Sequence, residues 1–311
     1  MTNDARDERP RVLVLDPLHP DGVALLRTFA QVDTVDGPAL TPAELAARVS
    51  DYHALLTGSR TPVPAVIIAQ GERLRVIGQA GIGLDNIDLD AAEARSIEVV
   101  NAPESTTQAV AEMTYALMLA AARHVSRTDA ALKQGRWEKQ GVQGTGLQGK
   151  TLGIIGFGRI GRSVAQIAPA FGMHVLVNQT RATSHLSEEW RVEQVDLAVL
   201  LQRSDYVTLH VPMRSANRNL IGRAELALMK PTAFLINTSR GGIIDEEALV
   251  AALDAGALAG AGLDVFAGEP APLPALAQHP RIVATPHIAA STSDAQRSAA
   301  IAVAEQMLAI L

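Results

Sequence analysis

The sequence predicts an α/β protein made of two doubly wound parallel-sheet domains. Short apolar runs alternate with helix-like segments from end to end, the order that a parallel sheet covered by helices requires. The chain has 311 residues, which is long for one core and suits two. One stretch, Thr151 to Gly161 (TLGIIGFGRIG), passes from a strand-length apolar segment through spaced glycines into the helical pattern SVAQIAPAFG.

The composition, 48% hydrophobic and 19% charged, is that of a folded globular chain and not a disordered one. No apolar run approaches the roughly eighteen residues of a membrane span. The charged start, MTNDARDERPR, lacks the apolar segment of a signal peptide or anchor, so a cytoplasmic location is expected. With no cysteine, disulfides, thiolate nucleophiles and the common zinc sites drop out. The net charge of -6 gives no basic field for nucleic acid, and the eight histidines show no metal-ligand spacing. The expected partner is a small molecule, with no metal, nucleic acid or membrane.

Element by element, the first hundred residues read as strands at 11–15 (RVLVL), 32–35, 54–57 (ALLT), 74–79 (LRVIGQ) and 98–100, with helical stretches such as PAELAARVS and PAVIIAQG between them. A long helical segment follows over 104–135, apolar on more than one face, so it needs cover from a dimer partner or from the other domain. The Gly-rich GVQGTGLQGK leads into the central strand. Strands are then expected at 174–177, 206–209, 233–236, 261–263 and 282–284, helices at 196–202 and 246–254, and an amphipathic helix over 291–311 that returns to the first domain. The boundaries that result are 1–102 plus 288–311 for one domain and 103–287 for the other.

The glycine stretch has the order that a dinucleotide site needs. Gly156 turns the chain off the strand, Gly158 lets a pyrophosphate approach the backbone, and Gly161 lets the helix lie against the strand. The helix N-terminus then offers free amides and a positive dipole end. In such a sheet ligands gather beyond the carboxyl ends of the strands. Three strands there run into polar groups: AFLIN into Thr238-Ser239-Arg240, AGLD through Asp264 towards Glu269, and IVAT into Pro286-His287. Together they suit oxidation of a 2-hydroxy acid, which needs a cation for the carboxylate, a base for the hydroxyl proton and a hydride acceptor. Arg240 offers a planar fork to the carboxylate. His287 can give or take the proton, and Glu269 touching it favours the protonated ring and fixes its tautomer. Asp264 suits the nicotinamide carboxamide, and His210 in LHVP suits the wall of the cofactor cleft.

The stretches QAGIGLDNID, LGIIGFGRIG, LHVP, INTSRGGIIDEEAL, AGLDVFAGEP and TPHIAA, in this order, resemble the NAD(P)-dependent D-2-hydroxyacid dehydrogenase family, with its phosphoglycerate dehydrogenase-like and glyoxylate/hydroxypyruvate reductase-like members. The resemblance runs from about Val12 to the C-terminus. It implies a Rossmann nucleotide-binding domain, a discontinuous flavodoxin-like substrate domain and a homodimer. It implies that Arg240, Glu269 and His287 are the catalytic trio, and that Arg159 and Ile160 meet the pyrophosphate. Thr238 and Asp264 serve the ribose and nicotinamide side, and Ser239, His287, Ala289, His210, Val211 and Pro212 are further cofactor-binding positions. The backbone from Gly81 through Ile82 to Gly83 helps hold the substrate carboxylate, and Arg240 and His287 also bind the substrate. Two places depart from the pattern: Ile82 stands where some members have a hydroxyl, and Gln179 where an acidic residue is usual. The end at Leu311 is expected to leave no appended regulatory domain.

An NAD-selective carboxylate is absent from the stretch Asn178-Gln179-Thr180-Arg181. Gln179 can still bond a ribose hydroxyl, Thr180 can donate to a 2′-phosphate and Arg181 can pair with it, so an NADP(H) preference is expected. Ser59, Arg60 and Trp137 are candidates for lining the substrate pocket, Arg60 either meeting a phosphate or sitting in a surface ion pair. The readings that compete with a 2-keto acid reductase are a dinucleotide-sensing binding protein and a formate or phosphite dehydrogenase on the same scaffold.

Overall fold

A computed structural model describes residues 9–58, 60–180 and 190–311. Two compact units emerge: one takes the chain up to Thr107 and again from Ala290 to Leu311, the other takes Gln108–Ala289.

The first unit holds a five-stranded parallel sheet of β1 (Arg11–Val14), β2 (Gln31–Thr34), β3 (Ala54–Thr57), β4 (Val76–Gln79) and β5 (Glu98–Asn101), in the order β2-β1-β3-β4-β5. This is the flavodoxin-like order. Every residue of β3 and β4 is buried, which explains why they read as continuous apolar runs and not as alternating ones. One face is covered by α2 (Pro42–Val49) and α3 (Ala65–Gln70), through Leu45, Val49, Ile67 and Ile68. The other is covered by α1 (Pro20–Arg27) and the C-terminal helix Ser293–Ile310, through Val23, Leu26, Val303 and Met307. Two glycines make that return possible. A Cβ on Gly22 would lie 2.5 Å from Ala300 O, and one on Gly78 2.4 Å from the Met307 sulfur.

The second unit holds a seven-stranded parallel sheet in the order β12-β11-β10-β9-β6-β7-β8. Its strands are β6 (Thr151–Ile155), β7 (His174–Asn178), β8 (Glu193–Gln194), β9 (Tyr206–Leu209), β10 (Phe234–Asn237), β11 (Gly260–Leu263) and β12 (Ile282–Ala284). The winding reverses between β6 and β9, so the ligand crevice of this unit opens beyond their carboxyl ends. Following α4 (Leu89–Ala94) of the first unit, α5 (Thr107–Ala122) lies on one face, where the Tyr115 hydroxyl donates to Val164 O at 2.8 Å and its ring stacks on Phe171. The strands predicted from sequence all form, with ends moved by a residue or two; β8, only two residues long, was not predicted.

The long helix expected over 104–135 is instead two. It breaks at His124, whose φ is +56°, and α6 spans Val125–Lys133. The cause is remote in sequence: Thr145 N donates to Ala122 O at 3.0 Å, and Gly144 sits so close to that carbonyl that a Cβ would be 2.7 Å from it. Nine of the sixteen residues of α5 are buried, whereas α6 exposes Val125 and Leu132.

Candidate active site

The glycine turn gives each of its glycines a different reason. Gly156 has φ +94°, and a Cβ there would lie 2.4 Å from His210 O, so the turns after β6 and β9 meet backbone to backbone. A Cβ on Gly161 would lie 2.2 Å from Gly156 O, which seats α7 (Arg159–Ile167) tightly on the strand. Around Gly158, the N-cap of α7, a Cβ would meet nothing within 4 Å among the described residues. Two glycines are thus needed by the fold, and the third leaves open ground over the first turn of α7, where Arg159 and Ile160 carry amides that the helix itself does not use. That cradle fits a pyrophosphate.

After β7, Gln179 is half-buried and Thr180 exposed, while the Asn178 side chain donates to Val195 O at 3.0 Å. Arg181 lies outside the described residues, as does Ser59. After β9, the His210 ring places Nε2 3.0 Å from Thr208 Oγ1, and among the described residues its buried Nδ1 has no partner, although the residue as a whole is half-exposed. Burial pushes His210 down to about 3, so it stays neutral. Val211 is half-buried beside it and Pro212 is exposed.

The loop after β10 is shaped by Asn237, a residue the sequence reading passed over. Its Oδ1 accepts from Ser239 N (3.0 Å) and Ser239 Oγ (2.7 Å), and its Nδ2 donates to Arg240 O (2.9 Å). This Asx-type turn leaves the Arg240 side chain half-buried, with Nη1 donating to Ser239 O at 2.7 Å. The Thr238 hydroxyl is buried 3.0 Å from Thr114 Oγ1. At Gly241 a Cβ would lie 2.0 Å from Phe266 O, so the Arg240 loop touches the loop that carries Glu269.

Asp264, fully buried at the end of β11, organises the loop after β12. Its Oδ1 accepts from Thr285 Oγ1 (2.6 Å) and Ile288 N (2.9 Å), its Oδ2 from Ala289 N (2.8 Å), and its carbonyl from His287 N (2.8 Å). Asp264, expected from sequence to serve the nicotinamide carboxamide, accepts three hydrogen bonds from the 285–289 loop, one of them at Oδ2. His287 sits in that loop with φ +55°. Its Nδ1 lies 2.7 Å from Glu269 Oε2, and Glu269 Oε1 accepts from Phe266 N at 2.8 Å. The pair is half-open to solvent, and with Nδ1 held by the carboxylate, Nε2 is the nitrogen left to exchange a proton.

Ile82 and Gly83 belong to the other unit, in the turn after β4, where Ile82 O accepts from Asn101 Nδ2 at 2.8 Å and Gly81 O from Ala102 N at 3.0 Å. All three residues of that turn are half-buried. Arg60 is exposed, and Trp137 is 79% exposed.

A doubly wound sheet with a glycine turn at its switch point, and with an acid–base pair on the neighbouring strand ends, defines the class of dinucleotide-binding oxidoreductase domains. Residues 115–289 match the NAD binding domain of the D-isomer specific 2-hydroxyacid dehydrogenases, and the chain belongs to that family. It is 42% identical over 303 residues to a hydroxypyruvate reductase of Thermotoga maritima, covering 96% of this chain and 97% of that one. It is 43% identical over 302 residues to a D-3-phosphoglycerate dehydrogenase of Methanocaldococcus jannaschii, covering 97% of this chain but 57% of the other, so it spans little more than half of that enzyme. Among solved structures, an NADPH-dependent glyoxylate/hydroxypyruvate reductase of Sinorhizobium meliloti in complex with NADP superposes with a TM-score of 0.85 at 28% identity, over 97% of this chain and 93% of that one.

Proposed function

We propose that the protein reduces a small 2-keto acid to the D-2-hydroxy acid with NAD(P)H, Arg240 anchoring the substrate and His287 exchanging the proton. The observation that carries this reading is the 2.7 Å contact between His287 Nδ1 and Glu269, on a loop braced by Asp264. Arg240 presents its guanidinium fork from the adjacent loop to carboxylate and carbonyl oxygens. His287 Nε2 delivers its proton to the carbonyl oxygen as that atom gains charge, and Glu269 stabilises the imidazolium before transfer. The nicotinamide, when bound, supplies the hydride to the carbonyl carbon. Ile82 and Gly83 add backbone contacts to the substrate carboxylate, a role carried over from the family. Turnover of glyoxylate, hydroxypyruvate and pyruvate with each reduced cofactor tests the reading. Cofactor binding with no turnover of any 2-keto acid would favour the dinucleotide sensor, and hydride transfer from formate or phosphite the other enzyme.

The cofactor leaned to is NADP(H). The stretch Asn178-Gln179-Thr180-Arg181 at the end of β7 carries no carboxylate to repel a 2′-phosphate, Thr180 is exposed there, and the similar Sinorhizobium enzyme is NADPH-dependent. A homodimer is proposed from the exposed apolar side chains of Val125, Leu132 and Trp137, which α6 and the segment after it carry together. The cellular site proposed is the cytoplasm; among the described residues no helix is long and apolar enough to cross a membrane.

A further inference from the structure

The turn after β6 reads Gly156-Phe157-Gly158, so its backbone has two residues with little conformational preference and one with a side chain that can be held. That side chain is buried, and two groups outside the chemistry above close on it. The ring of Trp190 stands at 90° to the Phe157 ring with centroids 5.8 Å apart. The Arg162 guanidinium lies 5.8 Å from the Phe157 ring centre and 5.6 Å from that of Trp190. Arg162 rises from the start of α7, its N–H donating to Gly158 O at 3.0 Å, and Trp190 stands just before the edge strand β8. The turn with the first turn of α7, and the segment before β8, therefore meet around one phenyl ring.

We propose that Trp190 and Arg162 form a clamp on Phe157 that sets the glycine turn in its cofactor-ready shape before the dinucleotide arrives, making Trp190 a positioning residue for cofactor binding. Edge-to-face rings and guanidinium–ring contacts orient their partners as well as attract them. A turn that holds its competent shape only part of the time binds more weakly by that same fraction. Among the described residues the buried indole Nε1 of Trp190 has no acceptor, and an unmet buried donor destabilises. The indole is therefore present for its ring and not for its N–H, which makes phenylalanine the replacement that should work. The inference rests on the assignment of the glycine turn to the cofactor and is independent of the substrate and of the His287–Glu269 pair.

The test compares Trp190→Ala, Trp190→Phe and Arg162→Leu with the wild type, using calorimetric titration with NADH and NADPH and amide hydrogen exchange of the cofactor-free protein. Trp190→Ala should weaken binding of the preferred cofactor about tenfold and speed exchange across Gly156–Arg162, while Trp190→Phe stays within about twofold of wild type. In turnover, the KM for cofactor should rise in Trp190→Ala with little change in kcat at saturation. Arg162→Leu should loosen the turn in the same direction by a smaller factor, and it tests the clamp even where Trp190→Ala fails to fold. Undiminished affinity in Trp190→Ala, or equal losses in Trp190→Ala and Trp190→Phe, would overturn the clamp and leave the cofactor assignment standing. Absence of dinucleotide binding by the wild type would remove both.

Discussion

Replacing Glu269 by glutamine keeps the length of the side chain and an oxygen for Phe266 N, but removes the charge that faces His287 Nδ1 at 2.7 Å. An exposed ion pair contributes about 0.2–1 kcal/mol, and these two side chains are 44% and 36% exposed, so water screens the pair and its loss costs about 1 kcal/mol at most. That corresponds to a factor of about five in rate. Glu269 also holds the ring through Nδ1, so without the carboxylate Nε2 is aimed less firmly at the carbonyl oxygen. The kcat/KM for keto acid should fall by up to about fivefold. Initial rates of NAD(P)H oxidation at saturating cofactor measure this directly, and cofactor affinity should not change. A wild-type kcat/KM, or a loss confined to cofactor affinity, would refute the role given to Glu269.

The two kinds of glycine in the turn separate experimentally. Gly158→Ala should leave thermal stability near wild type yet weaken dinucleotide binding by at least about tenfold, because its Cβ meets only the open cradle, whereas Gly161→Ala should lower the melting temperature as well, since its Cβ falls on Gly156 O. Equal melting temperatures for the two variants would contradict the packing described. Arg240→Lys keeps the charge and loses the fork, so the KM for keto acid should rise while cofactor affinity holds; wild-type constants would remove Arg240 from the substrate site. His210, held near 3 by burial, binds no proton in the folded state where the unfolded chain does, so its contribution to stability is complete above about pH 6.5 and is lost as pH falls towards 3, at no more than about 1.4 kcal/mol per pH unit. His210→Gln should flatten that acid slope in denaturant titrations of the cofactor-free protein, and an unchanged slope would count against it.

Much of this architecture was legible in the sequence because the parallel strands are buried on both faces and stand out as apolar runs. The glycine turn was readable for the same local reason, strand before and helix after. What escaped depends on partners distant in the chain. Nothing near Ala122 announces that Thr145 will take its carbonyl and end the helix there. Asp264 was seen as a polar residue at a strand end, but its three loop donors lie 21 to 25 positions further on, and their convergence comes from the pairing of β11 with β12. Asn237 is the opposite case: an Asn two residues before a Ser is a local turn signal that could have been read. The ring pair of Phe157 and Trp190 joins positions 33 apart through the edge of the sheet, and periodicity carries no trace of it.

His287 occupies the left-handed backbone region, which costs most side chains about 1–2 kcal/mol and which Asn tolerates far better than Ala. The residue proposed to exchange the proton is thus mounted on a bent spring whose clasp is the buried carboxylate of Asp264. Truncation to Ala takes away the imidazole and also leaves the spring loaded with a residue ill suited to the bend, so a lost rate would mix chemistry with shape. His287→Asn keeps the bend and a polar group towards Glu269 while deleting the proton donor. The difference in turnover and in loop hydrogen exchange between the Asn and Ala variants then reads the worth of the loop's posture separately from that of its imidazole.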